Sequence, residues 1–247
     1  MPLLSRRGAT ATSLIALGLV GGALLSVGCK RNFEGTVEDR IDAALPKYLG
    51  PADHYETHVD AASSGAILRG RVRSVEVTGV NVHLRPELLV DRMVLTVHAV
   101  EVDTHKGTLQ SIGDAEFTGT ISSDNLKRYV DSRNLGVRDL SVSIEGDRMH
   151  VKARPEVEGI LPVPVSVRGV VSPTPEGDHL DFLPDRGSIT VIPVPGVVLS
   201  YLSHKLNPVI SLTGLPIPIH VLSASMADGK LTMSGTVDTA AILNAAH

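Results

Sequence analysis

The sequence predicts an α+β, mostly β protein in which a long curved antiparallel sheet wraps around an N-terminal amphipathic helix, forming a half-barrel with an apolar interior. Three observations carry this. Apolar and polar residues alternate with period two through most of the chain beyond residue 70. One segment near residue 40 has the helical period instead, and Gly146-Asp147 and Asp228-Gly229 supply tight-turn signals between neighbouring alternating runs.

The first element is not part of that fold. Arg6-Arg7 followed by an apolar stretch from Leu14 to Leu25, broken by Gly18, Gly21 and Gly22, reads as an export signal, too short and glycine-rich for a comfortable membrane span. It ends in Leu25-Ser26-Val27-Gly28-Cys29, which resembles the lipobox of bacterial lipoproteins. There small residues precede a cysteine that is acylated and becomes the new N-terminus. A plain secretory signal with an incidental free cysteine is the alternative. Acylation of Cys29 would tether the mature chain, since each buried methylene contributes about 0.8 kcal/mol. The resemblance to lipoproteins also implies a place: an Asp after the cysteine favours retention in the inner membrane, and Lys30 here points to the outer membrane or cell surface.

From about Asn32 to Tyr48, Val37, Ile41, Leu45 and Tyr48 recur at helical spacing behind an Asn32 N-cap, and Glu34, Glu38 and Asp39 suit the positive helix start. Pro46 to Gly50-Pro51 punctuates the end. Val75 and Val77, then Val80, Val82 and Leu84, alternate with polar residues, and the phase slip at Gly79 predicts a bulge in one long strand. Further strand runs are Leu95–Ala99, Ala115–Ile121, Val142–Ile144, Met149–Ala153, Val163–Val167, Ile189–Val191, Ile217–Val221 and Leu231–Val237. Two more helices are expected, Ser123–Ser132 with Asp124 near its start and a more apolar one over Gly196–Lys205. The sum is about nine or ten strands, and a sheet of that size tends to curl. The chain divides into a signal peptide at 1–28, the acylated cysteine and tether at 29–35, one domain at 36–240 and a tail at 241–247.

An apolar-Pro-apolar-Pro motif occurs three times, at Leu161-Pro162-Val163-Pro164, Ile192-Pro193-Val194-Pro195 and Leu215-Pro216-Ile217-Pro218. Prolines two apart both lack N–H groups on one strand edge, so these segments belong at strand starts or unpaired edges. One reading puts some of them at the mouth of a cavity, touching membrane or ligand. The other has proline merely protecting strand edges.

Composition and motifs exclude several functions. With Trp 0, Tyr 4 and Phe 3, and 23 Lys+Arg against 27 Asp+Glu, the chain offers neither stacking platforms nor a general basic patch, so no nucleic acid is expected. Nucleotide-binding, zincin and nucleophile-elbow patterns are lacking, so neither cofactor nor catalytic centre is expected. A single cysteine excludes an internal disulfide framework. His54, His58 and Asp60 could imitate a metal site, but in a strand residues four apart lie about 13 Å apart; a solvated polar face is the competing reading, and no metal is predicted. Glu101 with Asp103, and Asp178 with Asp181, read as solvated charges. Arg69, Arg71 and Arg73 share a face if extended and could receive a lipid phosphate, or serve as edge charges.

Three stretches carry a family resemblance. Gly65-Ala66-Ile67-Leu68-Arg69-Gly70-Arg71-Val72, continuing to Val75-Glu76-Val77, resembles the start of the LmeA-like phospholipid-binding family. Phe117-Thr118-Gly119-Thr120-Ile121-Ser122 running into Asn125-Leu126, and Leu215-Pro216 leading to Asp228-Gly229-Lys230-Leu231-Thr232-Met233-Ser234-Gly235, extend it, so the likeness covers about Val37 to Val237. It implies a fold similar to tubular lipid-binding domains, export to the envelope, phospholipid binding and no catalytic residues. The family's better-known members often have a different membrane attachment from a lipobox.

The expected function is therefore a membrane-anchored, non-enzymatic phospholipid-binding protein on the periplasmic side of the bacterial envelope, for lipid transport or presentation. Removing a 16-carbon chain from water is worth about 13 kcal/mol gross, which demands a long aliphatic lining. The candidate lining or rim residues are Val37, Ile41, Leu45, Val163, Val165, Ile192, Val194, Val198, Leu202, Ile217 and Ile219, with Arg69 and Arg71 as headgroup candidates and Cys29 as the lipidation site. The same strands would also make a sealed core, so the alternative is a structural lipoprotein that docks another envelope protein.

Overall fold

The computed structural model describes residue 38 and residues 41–43, 45–103, 108–156, 164–189 and 192–245. Residues 1–28, Cys29, Val37 and Val163 lie outside the described residues.

The N-terminal helical stripe is present where described. Leu45 N–H donates to Ile41 C=O at 3.0 Å and Leu49 N–H to Leu45 C=O at 2.9 Å, carrying the helix into α1 (Pro46–Leu49). Pro46 opens α1, and its ring nitrogen carries no hydrogen to continue the ladder from the turn before. Gly50 then adopts φ 100°, and a Cβ there would meet His83 C=O at 2.1 Å, so only glycine lets the chain turn beside that strand.

The chain continues as β1 (His54–Asp60), α2 (Ser64–Leu68), β2 (Arg71–Arg85), β3 (Leu88–Asp103), β4 (Thr108–Ser111), β5 (Ala115–Ser122) and α3 (Ser123–Ser132). Then come β6 (Arg138–Glu145), β7 (Arg148–Arg154), β8 (Val165–Pro173), β9 (His179–Ile189), β10 (Ile192–Pro193) and α4 (Gly196–Leu206). The last elements are β11 (Ile210–Ser211), β12 (Ile219–Ala227), β13 (Lys230–Val237) and α5 (Thr239–Ala245).

The fold is the expected mostly β, curled antiparallel half-barrel. Its strands are shared between two sheets. The first has the order β1-β2-β3-β5-β13-β12 with β4 on β3; the second has β10-β9-β8-β7-β6 with β11 on β9. Both hairpin turns stand where the sequence puts them, Glu145 opposite Arg148 and Ala227 opposite Lys230. One core cluster runs through both sheets, and β12 of the first sheet lies against β8 of the second.

Gly79 is not a bulge. It pairs with Met93 in unbroken register, and the change of face follows at Asn81, whose φ is 52°. The glycine is a matter of space: a Cβ would lie 2.6 Å from Val82 Cγ2 and 2.8 Å from the Tyr55 ring. The register shift in this ladder falls instead between His83 and Arg85, at the hairpin end.

Helices join the layers. Ser122 caps α3 by accepting the Asn125 N–H at 3.4 Å, and Asp124 complements the helix start. Ser123 Oγ accepts the Ile144 N–H at 3.0 Å, fixing α3 to β6 while its buried face, Leu126, Tyr129 and Val130, meets β3 and β5. Val198, Leu202 and Leu206 form a buried stripe that lays α4 on β9.

Candidate functional site

Register brings Pro164, the described end of the first proline motif, near the second motif and sends the third elsewhere. At one end of the second sheet, Ala153 pairs with Val165, Ser166 with Ser188, and Ser188 with Pro193, so β8 begins and β10 lies on either side of the end of β9. Pro164 stands just before β8, and Pro193 lies in the edge strand β10, the places where proline removes no needed ladder bond. Val165, Val194 and Val198 are buried at this end, and Leu202 follows one turn along α4. Ile192 occupies the edge opposite Ile189. Val197, in the first turn of α4, points an apolar side chain outward, 54% exposed.

The third motif lies at the opposite end. Ile210 pairs with Leu180, and Leu212 N–H donates to Asp178 C=O at 2.9 Å, so Leu215–Pro218 follows the start of β9. Along the strand that is about 30 Å from Ile189. There Ile217 is half-buried and Ile219 buried, and Pro218 C=O accepts the Asp238 N–H at 3.0 Å.

Ile41 and Leu45 are half-buried against the core, beside the edge strand β1. Glu38 Oε1 accepts the Val59 N–H at 2.9 Å, and Asp42 Oδ1 accepts the buried Thr57 hydroxyl at 2.5 Å, so the N-terminal helix covers the β1 edge. Tyr55 inserts under the turn after α1, donating to Gly50 C=O at 2.7 Å, and burial pushes its phenol pKa up to about 12.

The arginine row is not built as the extended reading requires. Arg69 ends α2 as its C-cap and precedes the strand, because the Ser63 side chain caps the Ala66 N–H and starts a helical turn there. Arg71 Nε lies 3.5 Å from Glu101, and Arg73 donates to Asp60 at 2.9 Å, both as exposed pairs. His54 and His58 are on strand β1, and Asp60 is taken by Arg73. Among the described residues no group of three or more metal-ligating side chains converges.

Two open depressions lie among the described residues. One, of about 280 Å³, is on the first sheet and is mostly polar, with Thr96, Glu116, Thr118, Ser234 and Thr236 around the exposed Leu222. Leu222 is turned outward by a bulge between Val221 and Ser223. The other, of about 400 Å³, lies beside the C-terminal end of α3 and has Leu135, Val137 and Leu140 on its wall. Sequence reasoning missed this second depression because its walls come from a loop with Asn134 and Gly136 at positive φ, where no period of two or 3.6 applies.

A curled antiparallel half-barrel with a helix laid on an aliphatic sheet face defines the fold class as mostly β. The chain belongs to the LmeA-like phospholipid-binding family, which matches residues 31–236. Neither the comparison with curated proteins nor that with solved structures finds a match.

Proposed function

We propose that this chain is a non-enzymatic phospholipid carrier of the bacterial envelope, anchored through acylated Cys29 on the periplasmic side, at the outer rather than the inner membrane. It holds acyl chains between α4 and the second sheet and transports or presents them. The observation that carries the reading is the family match over residues 31–236, which follows the lipobox-like segment and runs from before β1 to the end of β13 but one residue. The aliphatic stripe Val198–Leu202–Leu206 facing β9 supports the placement, with Val165 and Val194 at the mouth. Val37 and Val163 are assigned to the same lining.

A second reading has one observation in its favour. Leu202, Leu206, Leu180 and Phe182 are all 0% exposed, as in a sealed core of an interaction lipoprotein that docks another envelope protein. Organic extraction of the purified protein followed by mass spectrometry separates the two. Recovery of about one phospholipid per chain, intact after incubation, supports the carrier; an empty extract from a stably folded chain supports the docking protein.

A further inference from the structure

The depression at the end of α3 joins an apolar floor to a charged rim. Val130 is buried in its floor, and Leu135, Val137 and Leu140 are half-buried there against the core. Arg138, Glu156 and Asp131, which pairs with Lys127, stand on the rim, and Arg154 and Asp139 neighbour it outside the lining. Arg138 is the register partner of Arg154, and side chains directly opposed on neighbouring strands start about 5 Å apart. Two arginine side chains therefore leave the sheet side by side, which costs free energy without nearby anions. Arg138 Nε lies 2.7 Å from Glu156, and Arg154 Nε lies 3.2 Å from Asp139. Asp139 reaches its partner because β6 shifts register between Arg138 and Ser141, where Asp139 takes φ 51°. Each carboxylate approaches the Nε, and the buried Nε of Arg154 makes no hydrogen bond even so.

We propose that this depression is a phospholipid headgroup subsite and that it selects a zwitterionic glycerophospholipid. The inference rests on the carrier reading above. The phosphate lies on the terminal nitrogens of Arg138 and Arg154, whose planar forks suit phosphate oxygens. The ammonium lies against Glu156 and Asp139, and the glycerol covers Leu135 and Leu140. Two cations and two anions set the preference: a purely anionic headgroup gains from the arginines and loses to the carboxylates, whereas a zwitterion satisfies both. The subsite is also at the right end of the fold. Arg154 adjoins Ala153, which pairs with Val165 at the mouth formed by β8 and β10. Arg71 belongs to the other sheet, where it faces Glu101, and Arg69 caps the helix before that strand.

Native mass spectrometry of the full chain, released from micelles containing equal phosphatidylethanolamine and phosphatidylglycerol with the same acyl chains, tests this. The wild-type chain is expected to carry the ethanolamine lipid over the glycerol lipid by about threefold, the size of exposed ion-pair contributions. Glu156→Gln should move that ratio to parity or beyond. The double variant R138Q/R154Q should lower total bound lipid about threefold or more, while R138K/R154K keeps most of it, with circular dichroism unchanged throughout. Lipid bound with no headgroup preference, or variants with the wild-type ratio and amount, would overturn the subsite and leave the carrier reading standing. A wild-type chain that takes up neither lipid sinks the carrier reading itself. Inorganic phosphate displacing the lipid at equal concentration would assign the arginines to free phosphate and also overturn the proposal.

Discussion

The side-chain amide of Asn207 pairs with the backbone of Phe182 in both directions: Phe182 N–H donates to Oδ1 at 2.7 Å, and Nδ2 donates to Phe182 C=O at 3.1 Å. The amide thus stands in for a residue of a neighbouring strand where α4 gives way to β11. Val209 N–H continues the pairing to Leu180 C=O at 2.7 Å. Replacing Asn207 by Ala leaves a buried donor and acceptor of β9 unanswered, at about 1–3 kcal/mol. Asn207→Asp keeps the acceptor and sets a carboxylate against the Phe182 carbonyl, so it should not restore stability. Urea unfolding of both variants checks this, and an Asn207→Ala midpoint equal to wild type would refute the assigned role.

The first sheet closes its β1 edge with two carboxylates from the N-terminal helix. Glu38→Ala should expose the Val59 amide, lowering its hydrogen-exchange protection while leaving amides of β5 unchanged, and Glu38→Gln should recover most of it because the amide oxygen still accepts. Asp42→Ala is the more damaging change. It strands the Thr57 hydroxyl, which is buried at 5% exposure, and should cost about 1–3 kcal/mol in denaturant unfolding.

Tyr55 makes stability sensitive to alkali. Its folded pKa, raised by burial to about 12, exceeds the ordinary phenol value of 10.0. The contribution is complete below the unfolded pKa and is lost as pH rises through the folded one, since the unfolded chain releases the proton first. Denaturant midpoints should therefore fall between pH 10 and about 12, and Tyr55→Phe should flatten that decline while losing the hydrogen bond to Gly50 at lower pH.

What the sequence makes legible is what local chemistry decides. The bounds Ser123–Ser132 follow from a serine cap and an acidic first turn, and the hairpins at Gly146-Asp147 and Asp228-Gly229 from turn residues alone. The first half of β9 is hidden because Asp181, Pro184 and Asp185 interrupt its alternation. Pro184 is tolerated there at a register shift opposite Gly169, whose absent Cβ would lie 2.1 Å from Leu183 C=O. Alternation also names no partner strand, so the division into two sheets and the separation of the third proline motif from the second are decided by register. The juxtaposition of Arg138 and Arg154 is illegible for the same reason: it needs the pairing of β6 with β7 across a shifted residue.

Leu202 distinguishes a filled core from one that admits a chain. It is 0% exposed on the face of α4 that meets β9. In a sealed core Leu202→Ala leaves a cavity and costs about 3–5 kcal/mol, with nothing to fill it. If acyl chains enter between α4 and the second sheet, the space vacated by Leu202 becomes part of their path, and a bound methylene chain restores the lost contacts. Ligand bound to the native state alone then stabilises it in proportion to its affinity for the cavity. Thermal unfolding of wild type and Leu202→Ala, each with and without saturating phospholipid, should show a larger rise in Tm for the variant. Because the cavity gains a guest only where hydrocarbon already passes, Leu126→Ala, an equally buried change on α3, should gain no more than wild type. Equal lipid-induced shifts in all three proteins would place the acyl chains away from α4.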